Sequence, residues 1–172
     1  IINVTDTSIA RPASNSVLGF TLHQQMGKHF LLKLTTAASV FTNDINSSEV
    51  EATDKGVIKL IDAFNVNTST QFHYAVDGSF GYTGNNFGIG AAYKRISPDY
   101  KSMGVYFVTN DVEQYTLIPS VNLWKRKIRL GGSVGFEHDN LAANRSFQTE
   151  RVIGSANVSI NPSPVFGITG NY

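Results

Sequence analysis

The chain has 172 residues, of which 41% are hydrophobic and 16% charged, with a formal net charge of +1. Its charged fraction falls below the roughly 25% of ordinary soluble domains, and no apolar run reaches the roughly 18 residues of a transmembrane helix. The lack of cysteine excludes disulfide scaffolds, thiol nucleophiles and cysteine metal sites, and the small net charge argues against nucleic acid as a partner.

Residues 1–14 are polar and irregular, broken by Arg11-Pro12, and read as a leader or the tail of an earlier loop. No charged n-region followed by an apolar h-region is present in this numbering, which suits a processed protein or a fragment of a longer chain. From there the chain reads as one all-β unit over 15–172. The first hairpin spans about 17–41: Leu18, Phe20 and Leu22 alternate with Gly19, Thr21 and His23, and Phe30, Leu32, Leu34, Ala38 and Val40 alternate with Lys33, Thr35 and Ser39. The connection 42–69 is long, and Val57, Ile58, Leu60, Ile61 and Phe64 sit at helix-like spacing. A short amphipathic helix within 50–64 and an extended loop packed on a rim are both open readings.

The second hairpin, about 71–95, is the clearest unit, with Phe72, Tyr74, Val76, Phe80 and Tyr82 opposed to His73, Asp77 and Ser79 and a turn over Thr83-Gly84-Asn85-Asn86. After the connection 96–113, the third hairpin runs about 114–137. Tyr115, Leu117, Pro119, Val121 and Leu123 alternate in its first strand, and Ile128 to Phe136 returns after the turn Trp124-Lys125-Arg126-Lys127. Proline donates no ladder hydrogen bond, so Pro119 marks an edge, a bulge or an interrupted ladder. A polar loop over 138–150 leads to the fourth hairpin, about 152–172, which turns over Asn161-Pro162-Ser163-Pro164.

Four hairpins give about eight strands with an apolar face and a small, polar face, joined alternately by tight turns and long loops. This is the binary pattern of an antiparallel up-and-down transmembrane β-barrel, with lipid outside and a polar interior. Eight strands are either a whole barrel or an arc of a larger one. Aromatic residues sit at both strand ends: Phe30, Tyr82, Phe87 and Trp124 by the short turns, and Phe41, Tyr93, Tyr115 and Phe136 by the long loops. Two membrane-interface girdles are implied.

Lys33, Asp77, Lys94, Arg129 and Glu137 all fall on the polar face and are expected to face the lumen. In a barrel of eight strands the interior is just filled by side chains, so these charges are expected to pair into an internal plug; in a larger barrel they become a constriction that selects solutes. Tyr93, Arg95, Tyr100, Lys101 and Tyr106 interleave rings with cations near the second long loop. They suit contact with polysaccharide, lipid headgroups or a protein partner, or are merely solvated. The histidines His23, His29, His73 and His138 have no metal-fixing spacing, and no hydrolase, zincin or P-loop motif occurs. No catalytic residue, metal ligand or cofactor is assigned, and a non-enzymatic role is expected.

The stretch from Tyr93 to Gly104, the following Asn110-Asp111-Val112-Glu113, and the strand-turn-strand unit from Val121 to Gly135 together resemble outer-membrane β-barrel proteins of Bacteroidota-type bacteria. The resemblance covers roughly residues 70–172. It implies a Gram-negative envelope and a barrel, with lipid and other outer-membrane or periplasmic proteins as partners, in some cases within secretion, gliding or barrel-assembly machinery. The chain departs from it in lacking the flanking segments a large barrel needs. Phe166, Ile168 and the terminal Tyr172 also resemble the C-terminal signal read by bacterial barrel-assembly machinery. The expected function is a structural or partner-binding envelope component or a narrow pore in the bacterial outer membrane. The competing reading is a soluble lipocalin-like protein, with the apolar face turned inward around a small apolar ligand.

Overall fold

A computed structural model describes residues 11–50, 64, 66–102, 109–163 and 165–172. Its eight strands are β1 Ser14–Met26, β2 Phe30–Thr42, β3 Thr70–Thr83, β4 Phe87–Ile96, β5 Val112–Leu123, β6 Ile128–Asp139, β7 Glu150–Ser163 and β8 Phe166–Asn171. They form one antiparallel up-and-down sheet in the order β1 to β8. β1 and β8 are its edges, so the expected closure into a barrel is not made among the described residues. β8 covers only part of β7, with direct pairs from Asn157↔Asn171 to Ser163↔Phe166.

The strands form because each carries β-branched and aromatic residues with a period of two, which suits a pleated surface. Register then aligns these patterns into continuous faces. Leu34 opposes Gly78, Gly78 opposes Tyr93, Tyr93 opposes Tyr115, Tyr115 opposes Phe136, and Phe136 opposes Val152, all on the apolar face. A one-residue slip anywhere would move that strand's apolar set to the other side.

Several boundaries differ from the sequence reading. Ser14 already belongs to β1, because it pairs with Thr42. Asn161, Pro162 and Ser163 belong to β7 rather than to a turn, and the register shifts between Ile160 and Ser163. Such an irregularity accommodates the missing donor of Pro162. Pro119 pairs with Ile89 on the β4 side, while the β5–β6 ladder skips from Leu117↔Val134 to Ser120↔Gly131. Of the three options for Pro119, the interrupted ladder is the one found. The helix considered within 50–64 lies almost wholly outside the described residues; a bridge between Glu49 and Asn67 closes the base of that connection.

Positive φ values occur in both kinds of connection: at Asp99, Asp111, Asn140 and Ala143 in the long loops, and in the short turns. Gly27 takes a φ of 64° between β1 and β2, where the left-handed region suits glycine. Between β5 and β6, Lys125 and Arg126 take φ of 55° and 67° without being glycine, and Lys127 N–H donates to the Trp124 carbonyl at 3.1 Å. Trp124 before them is also left-handed, with φ of 48°, so this four-residue loop holds three consecutive positive φ values without a glycine.

Candidate functional site: the polar face and the long-loop rim

On the polar face, register builds a transverse belt from six strands. Thr35 opposes Asp77, Asp77 opposes Lys94, Lys94 opposes Gln114, Gln114 opposes Glu137, and Glu137 opposes Arg151. All five residues expected in the lumen lie on this face. Lys33 sits one row nearer the short turns, opposite His23 and Ser79. Arg129 lies close to the β5–β6 turn, opposite Asn122 and Ser159.

The expected ion-pair plug is only partly assembled. Glu137 is engaged by Arg151, whose Nε and Nη2 both donate to Oε1. Among the described residues, Asp77 and Lys94 face each other across β3 and β4 without forming an ion pair, and neither Lys33 nor Arg129 is in one. An open sheet does not bring the far walls together, so most of these charges lack the partners a narrow closed barrel would supply.

Below the belt the polar face is floored by glycine. A groove of about 220 Å³ is lined by Leu31, Lys33, Gly81, Gly88, Gly90 and Ser120. A Cβ on Gly88 would meet Ser120 Oγ at 2.7 Å, so the hydroxyl leans into the space that the missing side chain leaves.

The long-loop rim is built differently. The segment after β4 turns back across the end of β3: Ser97 N–H donates to Tyr74 O at 2.9 Å, and Tyr74 N–H donates to Ser97 Oγ at 3.0 Å. It then reaches β1 and β2, where the Lys101 carbonyl accepts from Ser39 Oγ at 2.7 Å and from Asn15 Nδ2 at 3.5 Å. Lys101 Nζ stands 4.7 Å from the centre of the Phe41 ring. Asn15, Ser39 and Phe41 share the polar face by register, so this loop lies over the mouth of that face. Asp111 anchors the other end, accepting Leu141 N–H at 2.8 Å and pairing with Arg145 at 3.1 Å.

The loop cluster read from the sequence is therefore divided. Tyr93 and Arg95 lie on the apolar face, Lys94 and Lys101 on the polar face, Tyr100 is buried in the loop, and Tyr106 lies outside the described residues. Consecutive strand residues point to opposite sides, so sequence neighbours cannot form one patch there. Phe41 is likewise no part of an outer girdle, being buried beneath Lys101 on the polar face.

Tyr93 and Arg95 instead surround Glu113. Its Oε1 accepts from Tyr93 Oη at 2.6 Å, Tyr115 Oη at 3.0 Å and Arg95 Nη1 at 3.2 Å, while His138 Nε2 lies 3.3 Å from Oε2. Register makes the convergence, since Arg95, Glu113 and His138 are direct neighbours on β4, β5 and β6. Glu113 is only 7% exposed, and its several donors offset the desolvation of the carboxylate; removing it would leave these half-buried donors without their common acceptor. The sequence reading missed Glu113. Its parity with Tyr115 and Leu117 was the available signal, because it puts a carboxylate in line with large apolar residues along β5.

The apolar face holds a shallow depression of about 780 Å³ among Leu34, Val76, Phe80, Leu117, Val134 and Phe136. Toward the short turns Phe30 and Tyr82 approach to 5.1 Å between ring centres, and Tyr82 and Phe87 to 5.3 Å. No cluster of metal-ligating side chains is found among the described residues. No protein-family model, curated protein or solved structure matches the chain.

Proposed function

We propose that this chain forms wall of an outer-membrane β-barrel of a Gram-negative, Bacteroidota-type bacterium, with its apolar face in lipid and its polar face lining an aqueous lumen. In this reading it is a structural and conducting envelope component, not an enzyme. One observation carries the proposal: across the whole sheet large apolar side chains stand exposed on one face, among them Leu18 at 72%, Phe72 at 58% and Val152 at 76%. A water-soluble monomer rarely leaves so extended an apolar surface uncovered, whereas a barrel wall requires it.

Strand length agrees, since all but β8 have at least 10 residues, and about 9 to 11 tilted residues cross a bilayer. Lipid offers no hydrogen bonds to a bare strand edge, so the edges at β1 and β7–β8 must be paired in the membrane, with each other or with further strands. The ring cluster of Phe30, Tyr82 and Phe87 provides one interfacial girdle, and Tyr93 with Tyr115 contributes to the other.

The test is extraction and depth. The full chain is expected to need detergent for monodispersity, to insert into vesicles, and to have Trp124 fluorescence quenched by lipids labelled near the headgroup. A chain that stays monodisperse in plain buffer and ignores vesicles overturns the proposal. The apolar depression favours the lipocalin-like reading as second choice, and saturable uptake of an apolar dye by that soluble form would support it.

A further inference from the structure

We infer that the polar face is a path for small anionic solutes, with the glycine-floored groove beside Lys33 as a binding step for phosphate- or carboxylate-bearing ions. The inference rests on the membrane reading for its role as a path, though not for the binding site itself. Four cations on this face form no ion pair among the described residues: Lys101, Lys94, Lys33 and Arg129. Their register positions descend from one rim to the other. Lys101 lies over Phe41 at the long-loop mouth, Lys94 is level with Thr35 in the belt, Lys33 is in the next row, and Arg129 is beside the β5–β6 turn.

The carboxylates of the same face do not cancel this charge. Glu137 is taken by Arg151, and Asp139 accepts Thr149 N–H at 2.6 Å near the rim. Asp77 alone stands among the cations, opposite Lys94 and diagonal to Lys33. Cation-lined surfaces draw anions, and successive sites let an ion leave as well as enter. The glycines matter because they leave the groove floor open between Lys33 at its edge and the Ser120 hydroxyl reaching inward, so that an ion can lie within reach of both. Such charge-assisted hydrogen bonds are stronger than neutral ones.

The experiment titrates the full chain in detergent with inorganic phosphate and follows backbone amide shifts. Saturating shifts are expected at Gly81, Gly88 and Gly90, with affinity lowered about tenfold in Lys33→Gln/Lys94→Gln, the loss expected for charge-assisted contacts. Lys33→Arg/Lys94→Arg should restore it. Asp77→Asn should tighten binding about threefold by removing a partly screened like charge. No saturable shift in the parent, or the same affinity in the double glutamine variant with parent-like spectra elsewhere, overturns the inference. A chain that enters vesicles yet ignores phosphate overturns the site alone. One that binds phosphate here but never partitions into vesicles overturns the path and the membrane reading together, leaving only the ion site.

Discussion

At the rim joined by the long loops, Ser39, Asp111 and Glu113 are enclosed and hydrogen-bonded, whereas at the opposite rim Phe30, Phe87 and Trp124 stand exposed. Every buried side chain among the described residues, from Ser39 and Phe41 through Asn67, Ser97 and Tyr100 to Glu113, belongs to the long-loop rim; the one buried residue at mid-strand is a glycine, Gly135. A single sheet cannot bury its own faces, so burial arises only where a loop folds over it or side chains gather around a carboxylate. The long-loop rim thus holds itself together with polar contacts inside the chain. At the mid-strand face and the short-turn rim the described residues supply no such cover.

That contrast can be broken first at mid-strand. Leu117→Arg on the apolar face should destabilise the vesicle-inserted state by about 3 kcal/mol in urea titrations, the depth-dependent cost of a cation facing lipid. Thr116→Arg, one residue away on the polar face, should cost far less. Equal costs would abolish the distinction between the faces.

At the long-loop rim, Glu113→Ala removes the acceptor shared by Tyr93, Arg95 and Tyr115. The expected loss is about 2 kcal/mol, from leaving three half-buried donors without their charged acceptor. Glu113→Gln should recover part of it because the amide oxygen still accepts. A smaller loss, about 1 kcal/mol, is expected for Ser39→Ala, which deletes one hydrogen bond to the Lys101 carbonyl. Hydrogen exchange should then quicken in residues 97–102 and remain unchanged at the short turns; unchanged exchange in the loop would show that Ser39 does not hold it.

The smallest effect belongs to the short-turn rim. Lys125→Asn/Arg126→Gly should raise stability by about 0.5–1 kcal/mol, because asparagine and glycine suit the positive φ of these two positions. Destabilisation would mean that the two cations contribute contacts outweighing their backbone strain.

Much of the strand architecture was legible in the residues. Leu117 beside Thr116, or Phe80 beside Ser79, assigns a face without any knowledge of neighbours, because alternation is a property of one extended chain. Turn positions were readable for the same local reason, except at Asn161-Pro162-Ser163, where two prolines suggested a turn over three residues that belong to β7. Alternation also puts Lys33, Asp77, Lys94, Arg129 and Glu137 on one face, as the register does, but it does not say who pairs with whom.

Pairing is where the sequence alone stopped. Arg151 was not foreseen as the partner of Glu137, nor Glu113 as the centre joining Tyr93, Arg95, Tyr115 and His138. These contacts depend on the relative slide of separate strands, and Lys101 reaches Ser39 from 62 positions away. Sequence by itself determined eight alternating strands, two chemically distinct faces and the placement of short and long connections. Only the tertiary structure decided that the described sheet is open, that the second long loop lies over the polar mouth, and that the cluster from Tyr93 to Lys101 is split between two faces. The physical reason is that side-chain alternation is fixed residue by residue, while register, closure and loop path are set by hydrogen bonds and packing between segments distant along the chain.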